Sequence, residues 1–576
     1  MKAMKSLYIF IGCLLTVGCT KILDKKPLDK VSDVWNDPDL ANAYMNRIYA
    51  VNLPGWNSDY ASYSDETSGG GSYMYGQLTE NSVNYWPYDN IRDINELIDN
   101  IDHGSLTAAN KKSLKGQAMF FRAWQYFEMV KRYGGVPLIL HAQSLNDSLF
   151  VKRNKTSECI KQILADLDSS IAYLPSITPT DKANDGHVHK GTAMAVKGRV
   201  LLYYASPQFD PTQTAAGRWQ AAYQANKDAR DYLQSKGFGL FSNFTTLWFN
   251  EMNKEDIFVR RYLYIPNNSL SWHNWSAATR PLDISQGATG ANRPTLEMVN
   301  AFPMKDGKSI NDPGSAYTYD SSYFWKNRDP RFWQTIVYNG AFFQVDMNGL
   351  APGRIQWTYV GGEQNNPTIT GYYMRKAVDT TQTSIQAYNS STDWVEIRYA
   401  EVLLNLAEAA NEVGNTTEAY PLLTAIRARA GIDPGSNNLY GLKVGMTQAE
   451  MRAAIRLERQ IELAYEGKRF WDLRRWRAFE TTLNGTRRHG HTVSLKVPAT
   501  QWNALRSSKT PQQLYDLLQT SYTSYFSHTV KLLDTQFDIN WKPEYYFFAL
   551  PSSTLELNSN LEQTKGWTNG TFDPLQ

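Results

Sequence analysis

EIRYAEVLLNLAEAANEVG, residues 396–414, reads as a helix with one wide apolar face. Tyr399, Val402, Leu403, Leu406, Ala410 and Val413 recur at steps of three and four, the spacing that stacks side chains on one side of a 3.6-residue turn. Gly414 supplies the stop. Outward from it the pattern repeats. TEAYPLLTAIRARAG (417–431) follows, and then 447–476, where Met451, Ala454, Leu457, Ile461 and Ala464 share a face. Towards the N-terminus, 114–140 carries Met119, Ala123, Tyr126, Val130 and Tyr133, with Phe120, Trp124 and Phe127 as an adjoining stripe. A helix so broadly apolar is buried between neighbours. Gly134-Gly135 ends it, and Val136-Pro137 forces extended chain. Helices over 157–175, 189–207 and 218–237 complete the set. Alternating helices with short Gly or Pro turns predict a mostly α, tetratricopeptide-like helical-repeat scaffold without a strict 34-residue repeat. Residues 250–390, and those from about 481 onward, are rich in Gly, Asn, Pro, Thr and rings. They predict a loop-rich, mixed second region.

With 576 residues, 42% hydrophobic and 20% charged, the chain can bury a large core. Its first residues fit a signal segment: Lys2 and Lys5, an apolar run from Leu7 to Val17, then small Gly18 before Cys19. The run is too short to span a bilayer core comfortably, which takes about 20 apolar residues. Thr16-Val17-Gly18-Cys19 resembles a bacterial lipobox, which implies cleavage before Cys19 and acylation of it; several chains anchor where one is marginal. Thr16 stands where an aliphatic residue is usual. The net charge of +3 falls to +1 once Lys2 and Lys5 leave, which gives no electrostatic case for nucleic acid. Of three cysteines, Cys13 leaves with the signal and Cys19 is the lipid site. Cys159 alone remains, so no intrachain disulfide forms.

No H-E-x-x-H, G-x-S-x-G or Walker A pattern occurs, and SGGGS at 68–72 lacks the G-K-[ST] ending of a phosphate loop. His187 with His189, and His489 with His491, lack further ligands at metal spacing. No metal, cofactor or catalytic residue is assigned, and no pair among the carboxylates is singled out. Rings are abundant, with 17 Trp, 35 Tyr and 23 Phe. Flat rings suit sugars, whose C–H faces are apolar and whose hydroxyls need partners at the rim. Three loops interleave rings with polar residues: 55–76 with Trp56, Tyr60, Tyr63, Tyr73 and Tyr75; 267–287 with Trp272, His273, Asn274, Trp275 and Arg280; and 353–362 with Arg354, Trp357 and Tyr359. Trp471 and Trp476 read as scaffold.

In order, ILDKKPLDKVS (22–32), YDNIRDINELIDNI (88–101), AMFFRAWQYFEMVKRYGGVPLI (118–139), RPTLEMVNAFPMKDGK (293–308), RDPRFWQTIVYNG (328–340), GYYMRK (371–376), the helical block around 396–476 and YYFFALPSSTLELNSNLEQTKGW (545–567) resemble the SusD/RagB-like outer-membrane nutrient-binding lipoproteins of Bacteroidetes. Ser559, Thr564 and Lys565 stand where the family commonly has prolines and asparagine. Thr20 and Lys21 stand where surface-displayed members often carry acids.

The resemblance implies a signal at 1–18, a helical region at 19–250, a loop-rich ligand-binding region at 251–390, helices at 391–480 and a C-terminal region at 481–576. It implies a non-enzymatic binder, lipid-anchored in the outer membrane and facing the cell surface, that hands a nutrient to a SusC-like TonB-dependent transporter. The cargo is most often an oligosaccharide, and some relatives serve peptides or other nutrients. A lipid-anchored glycosidase and a purely structural adaptor are the rival readings. The expected site has Trp272 and Trp275 as stacking rings, Tyr73 and Tyr75 as the opposing wall, and Asn274 and Arg280 as hydroxyl or carboxyl partners. Trp357 and Tyr359 are the alternative. Two tryptophans three apart share a face only in a helical turn.

Overall fold

A computed structural model of the chain describes residues 34–56, 60–182, 186–266, 268, 271–281, 284, 287–343, 353–362 and 368–576. Cys19 and the signal segment lie outside them. Helix α1 (Pro38–Asn52) starts on Asp37, whose carboxylate accepts from the Asp39 and Leu40 amides. α2 (Tyr88–Asn100) and the long α3 (Ala108–Tyr133) follow. From Phe120 to Tyr133 every residue of α3 is buried, because α1, α2 and α4 (Thr156–Tyr173) all pack on it. Gly134 ends it at φ 76°, where a Cβ would lie 2.5 Å from Pro574.

α4 packs on α5 (Lys190–Ala205), α5 on α6 (Ala216–Ser235), and α6 on α11 (Tyr399–Glu412). α11 in turn meets α12 (Thr416–Ala430), which ends on left-handed Gly431, and α13 (Gln448–Glu462), which opens on a Thr447/Glu450 capping box. This row of antiparallel helix pairs is the helical-repeat scaffold expected. Its core draws on residues 41 to 258 and 397 to 561. Residues 561–576 close over α3 and α4: the Arg153 guanidinium lies 3.7 Å above the Phe572 ring, Thr156 donates to the Pro574 carbonyl (2.7 Å), and the Ser157 amide to the Gln576 carbonyl (3.0 Å). Cys159, on α4, is fully buried, and burial pushes its thiol up to about 12.

The remainder carries small sheets. β1 (Asp256–Arg260) pairs antiparallel with β6 (Trp394–Arg398); β2 (Ile336–Val337) with β5 (Tyr373–Met374); β3 (Ala341–Phe342) with β4 (Ile355–Gln356). β7 (His489–Leu495) pairs with β8 (Phe526–Leu532) in an unbroken register, with α15 (Ala499–Ser507) and α16 (Pro511–Tyr525) inserted between them. Short helices α7 (Trp275–Thr279), α8 (Leu296–Ala301), α9 (Pro330–Thr335) and α10 (Ser384–Tyr388) brace the loops. A second, ring-rich core gathers here around Tyr372, Trp502 and Phe526. A third, small one joins Trp56, Trp248 and Trp394. No helix among the described residues is long and apolar enough to cross a membrane.

The structure differs from the expected apolar face in 447–476. α13 stops at Glu462, and the chain turns through Tyr465 (φ 59°) and Gly467 (φ 70°) before α14 (Arg469–Arg475). The buried side of α13 is half charged: Glu458, Arg459 and Glu462 lie inside with Met451, Ile455 and Ile461, while Ala454 and Leu457 are only half-buried. The charges are tolerated because they are paired. Arg331 meets Asp329, Glu458 and Glu462 at 2.7, 2.6 and 2.8 Å, and Arg398 meets Glu255, Glu462 and Glu466 at 2.7, 2.6 and 2.8 Å. Arg427 pairs with Glu458, Arg429 with Glu255 and Glu462, and Lys376 with Glu466. Five cations thus balance five carboxylates. Burial alone would raise the Glu462 carboxyl, but Arg429, Arg398 and Arg331 hold it well below the usual range. The cluster bolts α12 and α13 to α9, β6 and the 376 loop, so the scaffold fixes the loop region.

Candidate functional site

Loop 261–273 leaves β1 beside Asp393, the residue just before β6. The Asp393 carboxylate accepts from the Tyr262 amide (2.8 Å) and pairs with Arg261 (2.7 Å). Burial, opposed by Arg261, raises it to about 6. The loop doubles back through Leu263 N–H to the Ser271 carbonyl (2.8 Å) and is tied by paired His273 and Ser390 backbones (3.0 and 2.9 Å). His273 Nδ1 accepts from the Trp275 amide (3.2 Å), which leaves Nε2 to donate to the Thr392 carbonyl (2.8 Å). Burial lowers the His273 pKa to about 4, although the Thr392 carbonyl favours the proton. The ring is therefore neutral and structural at neutral pH.

This frame presents a row of rings. Trp272 lies between Tyr264 and Tyr388, with centroids 6.4 and 6.2 Å away. Trp272 and Tyr388 are half-buried and Tyr264 is 45% exposed. Exposed Leu263, Ile265 and Ile385 flank the row in sequence. Asn274 is exposed beside it. Such a row offers flat apolar faces within reach of polar loop atoms, the arrangement that suits a ringed, hydroxylated ligand.

Trp272 and Trp275 do not share a face, because the helical turn begins only at Trp275. The Trp275 ring stacks on Trp56 (5.0 Å, 23°), itself 5% exposed and donating to the Thr392 carbonyl (2.8 Å). Trp275 thus founds the row from below. Arg280 is 3% exposed and donates to the Asp379 and Gln382 carbonyls (2.7 and 2.9 Å), steadying the segment that leads to Tyr388. Tyr73 stacks on Tyr63 (3.9 Å) and edges Phe470 and Phe548. The Tyr75 hydroxyl donates to Asp534 (2.6 Å). Neither touches the Trp272 row. Trp357 and Tyr359, 6% and 5% exposed, belong to the second core against Trp502 and Phe526.

Sequence reasoning missed Tyr264 and Tyr388, which lie outside the three ring-and-polar loops it singled out. It also missed a cavity of about 220 Å3 lined by Phe244, Trp248, Phe249, Asn250, Arg375 and Thr381 among others. Trp248 and Ala377 join that cavity to the third core, on which Trp275 packs.

Acidic chemistry is held inside. Asp65 and Glu66 are adjacent carboxyls with divergent pKa values. Burial lifts Glu66 to about 8, while Arg469 outweighs burial at Asp65 and keeps it below the usual range. Both are buried, however, with Asp65 gripped by Arg469 (2.8 Å) and Glu66 accepting from the Tyr465 amide (2.9 Å). They do not flank an open cleft as a glycosidase pair must. The histidines have structural partners: His189 caps α5, His489 meets Glu297 (2.8 Å), and His491 meets the Tyr372 hydroxyl (2.6 Å) and stacks on His528 (4.5 Å). Among the described residues no three His, Cys, Asp or Glu side chains gather as metal ligands.

The described residues thus combine a helical-repeat scaffold with rings carried on braced loops. The sequence profile of the SusD family matches residues 254–567, and a second profile, described as "Starch-binding associating with outer membrane", matches residues 20–202. The chain belongs to the SusD family. It is similar to SusD-like protein P2 of Formosa agariphila, with 25% identity over 68% of this chain and 71% of that one. It also resembles the crystal structure of a SusD-like protein from Bacteroides fragilis, with TM-score 0.73 and 26% identity, covering 94% of this chain and all of that one. A SusD-like carbohydrate binding protein from the same species shares the fold, with TM-score 0.71 and 22% identity, covering 92% of this chain and all of that one.

Proposed function

We propose that the protein binds a glycan at the bacterial outer membrane and delivers it to a SusC-like TonB-dependent transporter. The observation that carries the reading is the ring group Tyr264, Trp272 and Tyr388, on segments tied by the Tyr262 amide to Asp393 and by paired His273 and Ser390 backbones. In this reading Trp272 and its two neighbours stack on sugar rings and Asn274 meets a hydroxyl, while Trp275 and Arg280 hold the platform. Tyr73, Tyr75, Trp357 and Tyr359 lie outside it. Membership of the SusD family, and a fold-mate described as carbohydrate binding, support a glycan as cargo. Cys19 carries the lipid that keeps the protein on the membrane, facing outward. No catalytic role is assigned.

Calorimetric titration of neutral gluco-, manno- and xylo-oligosaccharides and of short peptides tests the cargo. At least one oligosaccharide binds wild type, and Trp272→Ala weakens it clearly at unchanged melting temperature. Binding of peptides alone transfers the site to the peptide-binding members. Turnover of an oligosaccharide, abolished by one carboxylate substitution, establishes a glycosidase instead. Labelled palmitate enters wild type and is lost in Cys19→Ala.

A further inference from the structure

An open cavity of about 420 Å3 lies between the end of β4 and the α15–α16 turn, lined by Arg354, Trp357, Gly362, Arg506, Lys509 and Leu514 among others. It shares no lining residue with the ring row. Among its described lining residues three are cationic and none is acidic. Some buried cations elsewhere are matched by carboxylates, Arg469 by Asp65, Arg475 by Glu408 and Arg488 by Asp534, and others by carbonyls, as Arg328 is by those of Val299, Phe302 and Phe324. Arg506 and Lys509, both half-buried, have no carboxylate oxygen within 4.0 Å among the described residues.

Arg506 is also pre-positioned. Its guanidinium lies 4.9 Å from the Trp357 ring centroid, and Nη1 is 3.4 Å from the Tyr359 hydroxyl. Stacking on a ring fixes the plane of the guanidinium and leaves its other N–H groups for a planar or tetrahedral oxyanion. Trp357 is held in turn by Trp502, edge-on at 5.3 Å. At the rim, a Cβ on residue 362 would come 2.3 Å from the Tyr359 ring, so only glycine lets the backbone pass this close. The cavity is thus a rigid aromatic wall carrying an oriented cation, with a second cation on the next turn of chain.

We propose that this cavity is a second ligand site, specific for an anionic saccharide unit, in which Arg506 and Lys509 grip a sulfate ester or a carboxylate. It goes beyond the neutral-glycan reading of the ring row and does not depend on it. A neutral sugar would leave both cations unmatched, whereas an oxyanion there receives charge-assisted hydrogen bonds.

The test uses the full-length protein in detergent, titrated calorimetrically with hexagalacturonate, a chondroitin sulfate hexasaccharide, maltohexaose and inorganic sulfate, each at low and high salt. At least one anionic oligosaccharide binds, more weakly at high salt. Arg506→Gln with Lys509→Gln weakens it about tenfold or more, and Trp272→Ala leaves it unchanged. The two anionic probes separate carboxylate from sulfate. Lys509→Glu, a substitution on a half-exposed turn, is the second variant and abolishes binding without altering the melting temperature. Absence of binding by both anionic oligosaccharides, or binding that survives the double variant, overturns the proposal. So does equal loss of maltohexaose in that variant. Loss of binding in Trp272→Ala alone would assign the anion to the ring row and overturn the second site while leaving the first.

Discussion

Glu462→Gln probes the charged interior directly. The side chain is fully buried and accepts from Arg331 (2.8 Å), Arg398 (2.6 Å) and Arg429. The substitution keeps one acceptor oxygen and nearly the same volume, so packing is preserved and the change is electrostatic. Five cations would then face four carboxylates, leaving one buried positive charge without its counter-charge. Breaking a buried pair in this way costs about 3–5 kcal/mol, far more than the net worth of the intact pair, because the remaining ion cannot return to water. Arg47→Ala serves as the control. It removes the Arg47–Asp93 contact (2.9 Å), in which the arginine is 65% exposed, and exposed pairs are worth about 0–1 kcal/mol. Urea unfolding, followed by near- and far-UV circular dichroism with coincident curves, measures both. A Glu462→Gln midpoint no lower than that of Arg47→Ala would refute the view that this cluster fastens the loop region to the scaffold.

Trp56→Ala empties the third core and costs about 3–5 kcal/mol, whereas Trp272→Ala, on the half-exposed row, stays within about 0.5 kcal/mol; paired thermal melts decide. Burial lowers the His189 pKa to about 3, so the neutral ring's contribution is complete above about 6.5 and is lost as pH falls towards 3; the stability advantage of wild type over His189→Asn shrinks between pH 7.5 and 5. At Glu396, Lys468 and Arg199 outweigh burial and lower the carboxyl to about 2, so its contribution is full above about 4.5 and vanishes as pH falls to 2; in Glu396→Gln that acid limb of the melting curve flattens. Gly490→Ala sets a Cβ 2.6 Å from the Thr370 carbonyl and costs about 1–3 kcal/mol through overpacking, read by the same melts.

Helices were legible wherever one face is apolar and a Gly or Pro marks the end, as in α3 and α11. The break after Glu462 was not, because Leu463 and Ala464 continue the apolar count while the backbone reversal is set by the Tyr465 amide meeting Glu66, nearly four hundred residues away in sequence. The charged part of α13's buried face was not legible for the same reason: its partners Arg331, Arg398 and Arg427 come from other elements. At the site, the polar and aromatic alternation of 267–287 pointed to the loop that carries Trp272. It could not distinguish Trp272, beside Tyr264 and Tyr388, from Trp275, which packs on Trp56, since that depends on where the helical turn begins. Arg280 has the chemistry of a ligand partner, yet carbonyls about a hundred residues further on claim it.

The closure of residues 561–576 over α3 and α4 has a consequence for how the protein is made. Ribosomes release the chain from its beginning, so those two helices exist long before the segment that seals them. Until Phe572 reaches Arg153, part of the earliest core stands uncovered and open to proteases and to other chains. Native packing of that surface waits on contacts between residues some four hundred positions apart, the slow kind to form. A copy cut short near residue 560 is therefore expected to leave that surface uncovered, which faster limited proteolysis of the truncation than of the full chain would show.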